Sequence, residues 1–185
     1  MSCLFWKIWW KLSGWKISGS YPYHIKKKVI IVAPHTSWRD VVVCLAARSV
    51  LKAEIKFLGK KELFDGPFGW WWRWIGGTGV DRFSKHGVVD QVVNLFNSKD
   101  EFTLGLSPEG TRKRVDKLRT GFYHIAQKAK VPVLMVGLDF SKKEMSIAEP
   151  FFTTGDELKD MKQIISYFAP LKGKHPENDL RHLGK

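Results

Sequence analysis

The sequence predicts a single α/β domain, a sandwich in which a mostly parallel or mixed sheet is flanked by helices, with an amphipathic helix at its N-terminal end. Apolar runs rich in β-branched residues alternate with segments whose apolar side chains recur every three to four residues. This alternation is typical of a largely parallel sheet with helices packed on its faces. The 185 residues have room for one such core and not for two. We therefore expect a helix at 1–16 and one domain at 17–185.

The individual elements follow from local patterns. The run KKVIIVA predicts a strand at 27–33, and further strands are expected at 54–59, 101–107, 131–140 and 144–151. Helices are expected at 38–51, about 85–97, 120–130 and 156–168, because apolar side chains there recur at helical spacing. Loops that follow the carboxyl ends of parallel strands line the ligand crevice of such sheets. The polar clusters after the strands at 27–33 and 101–107 are therefore expected to meet.

The first 16 residues predict a short helix at a membrane interface. Lys7 and Lys11 share one helical face, and the other side carries apolar residues, namely Leu4, Phe5, Ile8, Trp9 and Leu12. The alternative is a helix that packs its aromatic face on the domain. No run approaches the roughly 18 apolar residues of a spanning helix, and the lysines interrupt a signal-peptide pattern. We expect peripheral or monotopic attachment at the cytoplasmic face of a membrane.

The net charge and the amino-acid composition limit the classes of partner and metal site that the protein could have. The net charge of +13 implies an anionic partner, which could be nucleic acid, anionic lipid or an acidic carrier protein. The nine Trp and twelve Phe favour an anionic membrane surface, and nothing indicates specific nucleic-acid recognition. Two cysteines, Cys3 and Cys44, suggest no disulfide framework, and the six histidines show no metal-ligand spacing, so no metal is expected.

The stretch APHTSWRD, residues 33–40, is the first candidate site. On a regular helix, His35 and Asp40 would point to different faces. If Ser37 is the N-cap, Asp40 becomes the third helical residue and its carboxylate can bend back toward His35 in the preceding loop. A histidine held by a carboxylate can act as a general base on an alcohol. The same residues could instead be a helix cap without any chemistry.

The stretch SPEGTR, residues 107–112, is the second. Gly110 permits a tight turn, and the Arg112 guanidinium matches phosphate or carboxylate, while Glu109 could hold that guanidinium or a substrate hydroxyl. An ordinary polar turn with a surface ion pair is the alternative. Arg82, after the glycines of GGTGVDR, is a further candidate for phosphate binding. The WWWRW block at 70–74 fits core or interface packing, or an apolar wall beside an acyl chain.

Together these stretches resemble the glycerolipid acyltransferase family, which includes the 1-acylglycerol-3-phosphate acyltransferases. His35 and Asp40 match its first motif, and a Gly- and aromatic-rich segment at 66–82 that ends in arginine matches its second. The third motif, Glu-Gly-Thr-Arg, is present unchanged at 109–112, and Val131-Pro132-Val133 matches the fourth. The resemblance covers roughly residues 28–140, with the motifs in order. Pro34 departs from the asparagine that many members carry before the histidine.

The resemblance implies an acyltransferase-like fold and a direct acyl transfer in phospholipid biosynthesis, with no acyl-enzyme. His35 would be the general base and Asp40 would orient it. The acceptor head group would be bound by Arg82 and by the motif residues Glu109, Gly110, Thr111 and Arg112. The implied donor is acyl-CoA or acyl-carrier protein, without a further cofactor, and the acceptor is lysophosphatidic acid or a similar lyso-lipid. The competing hypothesis is a catalytically inactive basic lipid- or nucleic-acid-binding module on the same fold.

Overall fold

The computed structural model of the chain describes residues 4–81 and 87–184, without the side chains of Lys60 and Leu63. Its strands are β1 Lys16–Ser18, β2 Lys27–Ala33, β3 Lys56–Lys60, β4 Gly77–Val80, β5 Phe102–Leu106, β6 Val133–Asp139 and β7 Glu144–Ile147. Its α-helices are α1 Leu4–Ser13, α2 Arg39–Val50, α3 Lys61–Asp65, α4 Gly69–Trp74, α5 Gly87–Asn97, α6 Gly121–Ala129 and α7 Glu157–Phe168. Two 3₁₀ turns follow at Pro176–Asn178 and Arg181–Gly184.

In the described residues the strands form one sheet in the order β1-β7-β6-β2-β5-β3-β4. The five strands from β6 to β4 run parallel to one another, and β7 pairs with β6 in the antiparallel direction. Since β1 is parallel to β7, both strands run against the other five. The predicted α/β sandwich with a mostly parallel, mixed sheet is confirmed.

Alternate side chains of the central strand β2 enter two separate cores. Val29 and Ile31 lie in the larger core, with apolar residues of α5, α6 and α7. Ile30 points to the opposite face, where it shares a second core with Val43 of α2 and Trp10 of α1. Both faces of β2 are therefore covered, as expected for a central parallel strand. Most predicted elements lie within two residues of the observed ones, and β2 matches its predicted bounds.

The Gly- and Trp-rich region folds into α3, α4 and β4, none of which the sequence predicted as separate elements. The Phe64 ring of α3 lies directly on the β3 and β4 backbone. A Cβ atom at Gly59 or Gly77 would come within 2.8 Å or 2.7 Å of that ring. Leu58 packs in the larger core, so Gly59 faces the opposite side of the sheet. Helices α3 and α4 thus share the sheet face that carries α1 and α2.

Helix α1 packs against α2 through one face and leaves the other face exposed. Trp10 is buried in the second core, and its ring contacts Trp15. The exposed face carries the apolar side chains of Leu4, Phe5, Ile8 and Leu12 beside the exposed Lys11. Packing and exposure therefore coexist on this helix, and membrane contact stays a prediction. Within residues 4–81 and 87–184, no helix combines the length and the hydropathy that a bilayer crossing requires.

Candidate active site

The loop between β2 and α2 brings His35 and Asp40 together. The Nδ1 atom of His35 lies 3.0 Å from Oδ2 of Asp40. The same carboxylate oxygen accepts hydrogen bonds from the backbone N–H groups of Thr36 (2.7 Å) and Ser37 (2.8 Å). Asp40 is only 1% exposed, whereas the His35 side chain is 22% exposed and within reach of solvent. A buried, backbone-bonded carboxylate thus holds one ring nitrogen of an accessible imidazole.

The helix start differs from the predicted one. Helix α2 begins at Arg39 with Trp38 as its N-cap, so the prediction of Ser37 as N-cap was wrong and Asp40 is the second helical residue. Asp40 N bonds to Ser37 O at 3.3 Å and Val41 N to Trp38 O at 3.2 Å, so the chain enters the helix through a tight turn. The carboxylate therefore serves the N–H groups of the loop just ahead of the helix. This is the position from which it also reaches His35.

The Glu-Gly-Thr-Arg stretch meets this loop because β5 pairs with β2 in parallel, so that both chains leave the sheet at the same edge. Glu109 Oε1 accepts a hydrogen bond of 2.7 Å from the His35 backbone N–H. The Glu109 side chain is 1% exposed, so it supports the loop from the protein side. Its contact is with the histidine backbone and not with the Arg112 guanidinium that the sequence suggested. A role for Glu109 in substrate binding stays a prediction.

Burial is also the main electrostatic influence on Glu109. The pKa of this carboxyl is raised to about 7, first of all by burial; the hydrogen bond from His35 N and the His35 charge act to lower it, while the charges of Asp40 and Asp179 add to the rise. Within the described part of the chain, Glu109 Oε2 and Asp40 Oδ1 are buried without a hydrogen-bond partner. Burial and the unpartnered oxygen Oε2 therefore disfavour ionisation of the Glu109 carboxyl.

The other motif residues lie on the exposed side of the same loop. Gly110 has φ +65°, and a Cβ atom there would come within 2.6 Å of Arg119 Nε, so the Arg119 side chain lies directly against the Gly110 backbone. Arg112 is exposed, and Thr111 is half-buried, with its hydroxyl accepting a 3.3 Å hydrogen bond from Lys113 N. Arg82 lies outside the described residues.

One segment that the sequence did not associate with the site contacts it directly. Residues 171–184, named the strap, cross the loop between β2 and α2, and the backbone N–H of His175 donates a 3.1 Å hydrogen bond to Thr36 Oγ1. Further along, His182 Nε2 contacts Val115 O at 2.7 Å. Sequence motifs could not reveal these contacts, since each involves a main-chain group that any residue type could supply.

A mostly parallel sheet that places an oriented, accessible histidine beside a cationic glycine turn forms a candidate site for general-base chemistry on an anionic substrate. A protein-family model described as "Acyltransferase" matches residues 15–139. The chain belongs to the acyltransferase family, which confirms the resemblance to glycerolipid acyltransferases.

Two curated relatives carry the name 1-acyl-sn-glycerol-3-phosphate acyltransferase. The Streptococcus pneumoniae protein is 33% identical over 131 residues, which cover 66% of this chain and 48% of that protein. The Saccharomyces cerevisiae protein is 28% identical over 119 residues, covering 60% of this chain and 38% of that protein. This chain thus spans about half of the first relative and less of the second.

A solved structure shares the fold. It is the 1-acyl-sn-glycerophosphate (LPA) acyltransferase PlsC from Thermotoga maritima, with a TM-score of 0.61 and 21% sequence identity. The similarity covers 97% of this chain and 76% of the Thermotoga chain. It therefore extends over the whole sheet and the helices described above.

Proposed function

We propose that the protein is an O-acyltransferase that moves a fatty acyl chain from an acyl thioester to the free hydroxyl of lysophosphatidic acid or a similar lyso-lipid. The observation that carries this proposal is the His35 imidazole, held by a buried carboxylate at 3.0 Å and itself accessible. Both relatives described above are named 1-acyl-sn-glycerol-3-phosphate acyltransferases, which supports this acceptor. The donor we propose is acyl-CoA or acyl-carrier protein.

The chemistry follows from which imidazole nitrogen is occupied. The Nδ1–H group donates to Asp40, so Nε2 carries the lone pair, and among the described residues none hydrogen-bonds to it. We propose that Nε2 takes the proton of the acceptor hydroxyl while that oxygen attacks the thioester carbon. A C–O bond forms, the C–S bond breaks, and the proton on Nε2 passes to the departing thiolate. Asp40 stabilises the imidazolium between these steps.

The head group is proposed to bind on the cationic side of the 109–119 loop. The Arg112 guanidinium is exposed there, and the Arg119 guanidinium lies against the left-handed turn at Gly110. A planar guanidinium can bind a phosphate through two parallel hydrogen bonds, which gives both affinity and orientation. Arg82 is proposed as an additional ligand, on the ground of its motif position alone.

The membrane contact is proposed to extend beyond α1. The exposed apolar side chains on one sheet face come from three helices: Leu4, Phe5, Ile8 and Leu12 of α1, Trp38 and Val41 around the start of α2, and Phe68, Trp70, Trp71 and Trp74 in and beside α4. Tryptophan side chains favour the membrane interface, and the +13 charge favours an anionic lipid surface. Trp38 is three residues from His35, so this apolar face begins beside the proposed base. We propose attachment at the cytoplasmic face.

The test is product formation by purified protein on anionic vesicles. Lysophosphatidic acid is supplied with either oleoyl-CoA or oleoyl-carrier protein, and phosphatidic acid is measured by mass spectrometry together with released thiol. We expect equal amounts of phosphatidic acid and thiol with at least one donor. Vesicle binding without thiol release, with both donors and several lyso-lipids, would instead support an inactive lipid-binding module.

A further inference from the structure

One end of the strap is fixed on the loop between β2 and α2, residues 34–38, which carries His35 and is named the catalytic loop. After α7 the chain returns to the sheet, where Phe140 N bonds to Lys172 O at 2.9 Å. Gly173 then lies so close to Thr36 that a Cβ atom there would be 2.8 Å from the threonine hydroxyl. That hydroxyl accepts the hydrogen bond from His175 N, while Thr36 N donates to Asp40. The strap therefore contacts Thr36, and Thr36 in turn hydrogen-bonds to the Asp40 carboxylate.

The other end of the strap is fixed on the cationic loop. Arg114 N donates a 3.2 Å hydrogen bond to Asn178 Oδ1, and His182 Nε2 donates one of 2.7 Å to Val115 O. Leu180, between these contacts, is fully buried in the larger core and anchors the segment. The strap thus contacts the catalytic loop with one end and the cationic loop, residues 107–120, with the other.

The cationic loop needs such an anchor. Residues 107–120 contain no helix or strand, and this stretch carries five exposed cations: Arg112, Lys113, Arg114, Lys117 and Arg119. Like charges crowded on a loop repel one another, and an unanchored loop would have to be ordered whenever the acceptor binds. A loop held in advance avoids that entropic cost.

We propose that the strap is a positioning element that fixes the cationic loop relative to His35 and thereby sets the affinity for the phosphate-bearing acceptor. This inference rests on the proposed function for its substrate. The strap lies beyond residue 139, where the family model ends. His182 acts through the Val115 carbonyl and is a positioning residue with no contact to the reacting atoms.

The test compares three variants of the strap. His182→Ala removes the donor to Val115 O, and His182→Gln retains an N–H donor at a similar reach. Glu177→Ala, at an exposed side chain whose partner is His175, is the matched control. Losing one hydrogen bond should raise KM for lysophosphatidic acid about three- to tenfold in His182→Ala with kcat almost unchanged. We expect His182→Gln to restore most of the affinity and Glu177→Ala to resemble the wild type.

Two readouts separate this inference from the proposed function. Hydrogen exchange at the amides of residues 112–119 needs no turnover, and we expect faster exchange in His182→Ala than in Glu177→Ala. Binding of a fluorescent lysophosphatidic acid in detergent micelles should weaken by the same factor as KM rises. If the wild type formed no phosphatidic acid, the proposed function would be refuted. Hydrogen exchange and lysophosphatidic acid binding would still test the positioning role of the strap, because neither requires turnover. Unchanged exchange and binding in His182→Ala would overturn the positioning role, as would a fall in kcat and Tm at constant KM.

Discussion

Glu109→Gln should change how stability depends on pH, because the wild-type carboxyl is buried beside two other acids. The substitution keeps an oxygen at the position that accepts the 2.7 Å hydrogen bond from His35 N and removes the ionisable group. The pKa of Glu109 is raised from its ordinary value of 4.5 to about 7, first of all by burial. A group whose folded pKa is raised binds more protons in the folded state than in the unfolded state between these two values. Wild-type stability therefore falls as pH rises through this window.

The size of the effect follows from the width of the window. Each pH unit corresponds to about 1.4 kcal/mol, and the window spans roughly 2.5 pH units, so the wild type carries a penalty of about 3 kcal/mol once the carboxyl ionises. Between about pH 5 and pH 8 we expect the wild type to lose on the order of 2 to 3 kcal/mol that Glu109→Gln does not lose. His35, Asp40 and Asp179 also face this site, and they remain in both proteins. The difference between the two proteins therefore isolates Glu109.

Urea unfolding in detergent at both pH values measures this difference. Glu177→Gln, at an exposed carboxyl on the strap, controls for the substitution itself. Any fixed cost of placing an amide at position 109 is the same at both pH values and cancels. If Glu109→Gln and the wild type lost equal stability between the two pH values, the raised pKa of this buried carboxyl would be refuted.

Three further outcomes are expected. The double variant Trp70→Ala/Trp74→Ala should weaken pelleting with anionic vesicles by roughly tenfold or more, since both indoles are over half exposed. The control Leu158→Ala, on the opposite sheet face, should pellet like the wild type. If the double variant also pelleted like the wild type, α4 would be excluded from the membrane contact. Arg112→Ala should raise KM for lysophosphatidic acid by about tenfold and leave KM for the acyl donor unchanged. Lys142→Ala, at another exposed cation, is the control. An unchanged KM for lysophosphatidic acid in Arg112→Ala would remove Arg112 from the head-group site. Cys44→Ala should retain activity, because burial raises the pKa of this thiol to about 12 and so prevents a thiolate nucleophile; a covalent acyl adduct on Cys44 would contradict this.

The sequence predicted the elements whose hydrophobic pattern is decided locally. The strand β2 was predicted with its observed bounds because two lysines lead into the β-branched run at 29–32 and Pro34 follows Ala33. Strand β4 was missed because GTGV has little intrinsic preference for a strand. Its glycines leave the backbone bare where the Phe64 ring packs on it. This contact joins α3 to β3 and β4, and no hydrophobic pattern within any one of these segments indicates it.

In the candidate active site, too, some contacts could be predicted from the sequence and others could not. The spacing of His35 and Asp40 indicated that they could meet, and their 3.0 Å contact is present. The place of Glu109 behind the histidine backbone was not predictable, because an exposed turn and a buried support have the same local sequence. The strap reaches Thr36 across 139 positions of the chain through the His175 backbone N–H, which leaves no mark on side-chain pattern. Contacts of this kind become visible only when the fold is known.

The most direct test of the central claim is the rate of phosphatidic acid formation by His35→Ala relative to the wild type, at equal folded concentration and saturating substrates. A general base typically contributes about 10² to 10⁴ in rate, so we expect His35→Ala to be at least 100-fold slower. Circular dichroism and Tm should match the wild type, since the His35 backbone N–H still donates to Glu109. A variant that folds normally and forms phosphatidic acid at a near wild-type rate would show that His35 is not the base.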